Sequence, residues 1–280
     1  MTPQKMLNIG CGDVFHPAWV NIDKISTSPQ VTSHDLNQGL PFPTETFDVV
    51  YHSHVLEHLQ ASEAISFLSE IKRVLKSGGI LRIAVPDLER IVKTYVKKLE
   101  EAPAPGESAY EEYEWVLLEL FDQMTRAVSG GEMAQYLAKA SPQARSFISQ
   151  QIGLEAEKIW AGSPPPSGGP AKSQRNPIQL FKRASDKARQ TLASGLVFLL
   201  GGRQYSAAFR EGVFRQSGEI HRTMYDRLSL KKLLHEQGFE KIMVVSASES
   251  QIPSFADYGL DTVNGVIRKP DSLFMECRKP

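Results

Sequence analysis

The chain has 280 residues, 41% of them apolar, enough to bury the core of one large domain or of a domain that carries an insertion. Its 32 Lys and Arg balance 32 Asp and Glu, so no global field draws in nucleic acid or an anionic membrane. No run approaches the roughly 18 apolar residues of a membrane span and no signal-peptide pattern opens the chain, which excludes stable membrane insertion and secretion as expectations. Cys11 and Cys277 lack CxxC or other metal-ligand spacing. Two reduced thiols, a cytoplasmic setting and no metal site follow as expectations.

Met6 to Ile9 reads as a short strand stopping at Gly10, and Trp19 to Ile22 as a second stopping at Asp23. A weaker third, Val31 to His34, ends at Asp35. Phe47 to Tyr51 is a continuous apolar run, the pattern of a strand buried on both faces. Behind Ser62 as N-cap, Ala64, Phe67, Leu68, Ile71 and Val74 recur at helical spacing until Gly78 and Gly79. Ile80 to Val85 predicts a fifth strand closed by Pro86, and Asp87 can cap a helix to about Leu99.

The alternation of strand and helix then stops. Residues 111–128, 132–140 and 142–159 carry helical patterns, while 161–177 is rich in Pro, Gly and Ser and reads as a mobile loop. "GLVFLLGG" at 195–202 has only five consecutive large apolar residues, which suggests a buried or partner-facing segment. Leu230, Leu233 and Leu234 mark a short helix stopped by Gly238, and Lys241 to Val245 and Ser272 to Arg278 form a closing antiparallel pair.

The expected fold is α/β and Rossmann-like: a seven-stranded, mostly parallel sheet with helices on both faces and a helical insertion before the last helix–strand pair. Residues 1–100 and 220–280 would form the core, and 101–219 a mainly helical cap over the substrate region. Ligands of such sheets bind beyond the carboxyl ends of the strands. Gly10, Asp23, Asp35 and His52 all fall there. Gly10 and Gly12 let the backbone turn sharply and approach a ligand, and an acid ending the next strand can accept from a ribose diol.

The stretches "LNIGCG", "NID", "HDLN", "PFPTETFDVVYHSHVLEHL" and "RVLKSGGILRIAVPD" resemble, in order and spacing, the motifs of class I S-adenosylmethionine-dependent methyltransferases, particularly the type-11 group. The resemblance implies S-adenosylmethionine as cofactor. It would place Gly10, Cys11 and Gly12 against the methionine part, Asp23 at the ribose, and Asp35 and Leu36 at the adenine, though Asp35 also reads as a simple turn residue. His52, Ser53 and His54 would line the floor between sulfonium and substrate, with Ser53 touching the cofactor. The chain departs from the pattern in having Val14 at the position of a third Gly, Asn8 at the position of an acid, and Pro17 in the first connection, so the first helix must be very short or replaced by a loop.

A hydroxyl acceptor needs a base, and histidine is suited to that role near neutral pH. His54 is the first candidate and His52 the second; a buried, satisfied histidine is the competing reading for both, and Glu57-His58 reads as a helix start. The cluster His221, Arg222, Tyr225, Asp226 and Arg227 could hold a polyol or an anion, or serve as a connector with Asp226 as a helix cap. Glu119, Asp122 and Arg126 share a helical face, as solvated ion pairs do. The longer stretches "EYEWVLLELFDQMTRAVSGGEM", "GEIHRTMYDRLSLKKLL" and "IRKPDSLFMECRKP" are similar to a bacterial subgroup of methyltransferase-domain proteins associated with glycan assembly. That similarity implies O-methylation of a small-molecule or glycan hydroxyl; the balanced charge separately predicts no nucleic acid as partner. The rival expectation is a catalytically silent protein that engages a partner through the insertion. The oligomeric state is open.

Overall fold

The computed structural model describes residues 4–26, 28–101, 108–162 and 177–280. The first half builds β1 (Met6–Ile9), β2 (Val20–Asp23), β3 (Val31–Ser33), β4 (Phe47–Ser53), α1 (Ala61–Val74), β5 (Leu75–Pro86) and α2 (Leu88–Glu101). Then come α3 (Ser108–Thr125), α4 (Gly131–Lys139), α5 (Pro142–Ile152), α6 (Leu154–Trp160) and α7 (Pro177–Arg215). The chain ends with α8 (Arg227–Glu236), β6 (Glu240–Val245), β7 (Thr262–Val263), β8 (Val266–Ile267) and β9 (Ser272–Arg278). The seven-stranded sheet has the order β3-β2-β1-β4-β5-β9-β6. Only β9 runs against its neighbours, pairing antiparallel with β5 and β6. This is the Rossmann-like α/β sheet expected from the sequence.

Alternate strand residues serve opposite faces. Leu7, Ile9, Val50, Leu81, Ile83 and Met275 pack with Phe67, Leu68 and Ile71 of α1 and Leu230 and Leu234 of α8. On the other face Met6, Val49, Tyr51 and Ile80 meet Trp19, Phe255 and Leu260, so loops and a 3-10 turn, Phe255–Tyr258, cover the sheet there. The small β7–β8 ribbon, which the sequence pattern did not announce, belongs to this cover.

Two boundaries moved for identifiable reasons. The N-cap of α1 is Gln60, not Ser62, because Gln60 and Glu63 form a reciprocal capping box. Gly79 is not a helix stop; it lies inside β5, where a Cβ would come within 2.8 Å of the Lys76 carbonyl.

Beyond α2 the helices form a core of their own around the fully buried Trp115, with Val116, Leu137, Phe147, Ile148 and Ile152. The stretch 142–159, expected to be helical throughout, breaks at Gly153 (φ 59°), where a Cβ would strike the Arg268 carbonyl at 2.6 Å. The Leu154 amide donates to that same carbonyl at 3.0 Å, which ties the helical layer to the loop before β9. Residues 163–176, most of the Pro- and Gly-rich stretch, lie outside the described residues.

α7 is two helices. Gly202 is non-helical (φ 74°, ψ −166°), and Ser194 Oγ lies 3.4 Å from Ser206 Oγ. Twelve residues of straight helix would separate them by about 18 Å, so the chain doubles back. The tip of this hairpin carries Leu199 and Leu200, 82% and 87% exposed, together with exposed Leu196 and Phe198. The apolar run at 195–202 is therefore not buried within the chain.

Candidate functional site

The site begins where β1 ends. Gly10 and Gly12 both have positive φ, 66° and 54°, a region costly for any residue with a Cβ. At Gly10 a Cβ would lie 2.4 Å from Val55 Cγ2, so the loop after β1 and the segment after β4 touch there. At Gly12 a Cβ would meet nothing within 4 Å, which leaves the space over the loop open.

No helix follows β1. Side chains from the strands fix the loop instead: Asn8 Nδ2 donates to the Val14 carbonyl and to Asn21 Oδ1, both at 3.2 Å. Asn21 Nδ2 donates to the carbonyls of His16 and Trp19 at 3.0 and 2.8 Å. Asn8 thus occupies the place of the expected acid as a buried amide that orders the turn.

Asp23, at the carboxyl end of β2, accepts from the Gly12 amide at 2.9 Å through Oδ2 and from the Ile25 amide at 2.9 Å through Oδ1. The two amides aim a half-buried carboxylate at the glycine loop, and each oxygen keeps a lone pair for a ribose hydroxyl. Asp35 caps a 3-10 turn by accepting from the Asn37 amide at 3.2 Å, and Leu36 packs against the core beside it. Cys11 is buried, and burial together with Asp23 pushes its thiol up to about 12. Glycine cradle, aimed carboxylate and open space fit the methionine and ribose parts of S-adenosylmethionine.

The second half of the site follows β4. His52 lies inside the sheet, edge-on to Phe67 at 5.2 Å, with neither ring nitrogen hydrogen-bonded. Burial lowers its pKa to about 4. Ser53 ends the strand, beside Ala84 of β5. His54 has φ 55° and an amide donating to the Ala84 carbonyl at 2.9 Å. Strain of this kind persists where surrounding contacts enforce it, often at functional sites. The His54 ring spans two partners: Nε2 is 2.9 Å from Ser272 Oγ at the start of β9, and Nδ1 is 3.0 Å from Glu57 Oε1.

Glu57 is fully buried. Burial alone would raise its pKa, but His54, His58 and His221 outweigh it and hold the carboxyl well below the usual range. His54 Nδ1 approaches this carboxylate at 3.0 Å without closing an aligned hydrogen bond. The Glu57 carbonyl accepts from the Arg222 amide at 2.6 Å and the Thr223 amide at 3.2 Å, which brings the segment rejoining the sheet onto β4.

That segment divides into two roles. His221 is buried and stands edge-on to His58, with ring centroids 4.8 Å apart. Arg222 turns back to the Arg215 carbonyl at the end of α7. Tyr225 sits in the core, and its carbonyl accepts from the Leu88 amide at 3.0 Å. Asp226 caps α8 by accepting from the Leu228 and Ser229 amides at 2.9 and 2.8 Å. Arg227 pairs with Glu89 at 2.7 Å.

Polar groups from the helical layer face the same end of the sheet. Lys158 of α6 pairs with Asp13 of the glycine loop at 2.9 Å, and Lys269 pairs with Glu155 at 2.7 Å. Burial raises the Asp271 carboxyl, and one of its oxygens has no hydrogen bond. Burial, with Asp271 nearby, pushes Glu119 up to about 8, and Trp115 Nε1 donates to Glu119 Oε1 at 2.7 Å. The face Glu119–Asp122–Arg126 is buried rather than solvated: Asp122 pairs with Arg126 at 2.6 Å and accepts from the Glu132 amide at 2.7 Å, capping α4. The sequence reading missed Glu57 as a buried charge, and with it Ser272, Asp271 and Glu155. The dipeptide Pro270-Asp271 ahead of β9 was the available signal for the last strand's contribution.

The sheet order, the glycine turn and the acid ending β2 are features of the Rossmann-like α/β methyltransferase fold. Residues 7–83 match the family model described as a methyltransferase domain, and S-adenosylmethionine is the cofactor of that domain. No curated protein is similar in sequence to this chain. Among solved structures, one similarity is to the Haloferax volcanii complex between the Trm112 methyltransferase activator and a methyltransferase. It is 21% identical, spans 35% of this chain and 51% of the other, and has a TM-score of 0.25. The chain thus spans about half the length of that relative. An S-adenosylmethionine-dependent methyltransferase from Archaeoglobus fulgidus is 11% identical over 99% of this chain and 87% of the other, with a TM-score of 0.37. A Bacillus halodurans methyltransferase is 15% identical over 100% and 93%, with a TM-score of 0.34. No helix among the described residues is long and apolar enough to cross a membrane.

Proposed function

We propose that the protein is an S-adenosylmethionine-dependent methyltransferase that methylates a hydroxyl of a small-molecule or glycan acceptor, with His54 as the base. When bound, the cofactor supplies a methyl group made electrophilic by its sulfonium. The rest is positioning, exclusion of water and movement of one proton. Gly10, Cys11 and Gly12 hold the methionine part, Asp23 the ribose, Asp35 and Leu36 the adenine side, and Ser53 the floor beneath. The helical layer, reaching the glycine loop through Lys158–Asp13, caps the acceptor side.

The observation that carries the reading is the pairing of His54 with buried Glu57 at the strand end beside the glycine loop. The negative charge of Glu57, 3.0 Å from Nδ1, favours the tautomer with its proton on that nitrogen and leaves Nε2 to accept one. Ser272 Oγ, 2.9 Å from Nε2, marks where an acceptor hydroxyl would sit. His52, enclosed against Phe67, is left out of the chemistry, while His221 and Arg222 bound the acceptor side and Tyr225 supports them from the core.

Calorimetry with S-adenosylhomocysteine and single-turnover transfer from labelled cofactor to hydroxyl acceptors test this. His54→Gln should retain cofactor affinity within about twofold and lower transfer by roughly 100-fold or more. No cofactor binding at millimolar concentration would overturn the enzyme reading, and full transfer by His54→Gln would overturn the role of the base.

A further inference from the structure

Directly after His54 the chain makes one 3-10 turn, Leu56–His58, that drives Glu57 into the interior. Neither oxygen of this fully buried carboxylate accepts an aligned hydrogen bond, and Oε2 lacks even the 3.0 Å approach that His54 Nδ1 makes to Oε1. Isolating a carboxylate from water costs several kcal/mol unless a cation or well-made hydrogen bonds replace the lost solvation. His221 arrives from across the helical layer, its amide donating to the Gln123 carbonyl at 2.9 Å, and its buried Nδ1 has no partner. His58 Nδ1 donates to the Ile220 carbonyl at 3.2 Å. That bond leaves Nε2 with its lone pair, the tautomer that metal-ligating histidines adopt when a carbonyl orients the other nitrogen.

One ligand atom from each of Glu57, His58 and His221 lies within 4.8 Å of the other two. We propose that these residues form a binding site for a divalent transition-metal ion of the zinc class. Two imidazoles and a carboxylate suit such an ion, and three protein ligands leave a coordination position open. With metal–ligand bonds of about 2.1 Å the ligand atoms of a tetrahedral site stand about 3.4 Å apart, so the side chains close by roughly 1 Å on binding. The site has no local signature, because His221 lies 163 positions after His58 in the chain and is brought to Glu57 by the backbone bonds from Arg222 and Thr223 to the Glu57 carbonyl. The metal claim does not rest on methyl transfer and is read without activity.

The full chain, stripped with a chelator and dialysed, is titrated with Zn2+ by calorimetry and with Co2+ by visible absorption. One equivalent should bind with micromolar or tighter affinity, raise the melting temperature, and give the d–d bands of a low-symmetry Co2+ site. An anomalous scattering peak should lie among the three side chains. His221→Gln and His58→Gln should each weaken binding by tenfold or more, while His235→Gln, on the exposed face of α8, should not. Glu57→Gln should also weaken it; circular dichroism on each variant separates lost binding from lost folding, and the two histidine variants decide the matter if Glu57→Gln does not fold. Absence of stoichiometric binding, equal affinity in His221→Gln, or a metal located elsewhere would overturn the site.

Discussion

Gly10 and Gly12 share positive φ but differ in what surrounds them. An Ala at Gly10 meets both backbone strain and the Val55 methyl at 2.4 Å. It should cost roughly 2–3 kcal/mol in urea melts. An Ala at Gly12 meets strain only, roughly 1 kcal/mol, yet its methyl enters the open space over the loop. Gly12→Ala should therefore weaken S-adenosylhomocysteine binding by tenfold or more in calorimetry while the fold remains stable.

Glu119 offers a test against pH. Its folded pKa of about 8 is raised by burial and by Asp271, with Arg90 opposing. The unfolded chain releases this proton near the ordinary carboxylate value. Between the two values the folded protein holds the extra proton, so the contribution of Glu119 to stability is intact at low pH and falls as pH rises through about 8. Glu119→Gln keeps the acceptor for Trp115 and removes the titration. It should match the wild type near pH 4 and exceed it by roughly 4 kcal/mol at pH 9, read from urea midpoints at both values.

Among the elements, β5 and β9 are joined by more than their ladder. Arg82, fully buried on β5, pairs with Asp261 and with Glu276 of β9, both at 2.8 Å, and donates to the Ser246 and Glu249 carbonyls. Its guanidinium stacks 4.4 Å from the Phe255 ring, and Tyr51 donates to Asp261 at 2.5 Å. This network locks the loop cover onto the sheet face that α1 and α8 leave bare. Arg82→Met would leave two buried carboxylates uncompensated and should cost about 3–5 kcal/mol by calorimetric melting. The strands themselves were legible because alternation and continuous apolar runs report burial locally: the last strand falls at 272–278 as expected. Arg82 was not read, since one charge in "ILRIAV" signals nothing until Asp261 and Glu276 are brought to it from almost 200 residues away.

For the whole molecule, the same division explains what the sequence revealed of the site. Gly10, Gly12 and Asp23 fall within 14 consecutive residues at the ends of β1 and β2 and were legible as a set; the meeting of His54 with Ser272, and of His58 with His221, depends on how distant segments return to the sheet. The α7 hairpin stands apart from both. Its tip residues Leu199 and Leu200 contact little within the chain, so a Leu199→Gln, Leu200→Gln double variant should hold its unfolding free energy within about 0.5 kcal/mol. A larger loss would mean that the hairpin packs more tightly than its exposure indicates.

Cys11 lies in the turn that would hold the methyl donor, and sulfur in its anionic form is a better attacking atom than any alcohol. With its ionisation pushed up to about 12, only on the order of one molecule in 10^5 carries that anion at neutral pH. A buried, protonated thiol keeps the protein from alkylating itself, so mass spectrometry of protein left with donor alone should find this side chain unmodified.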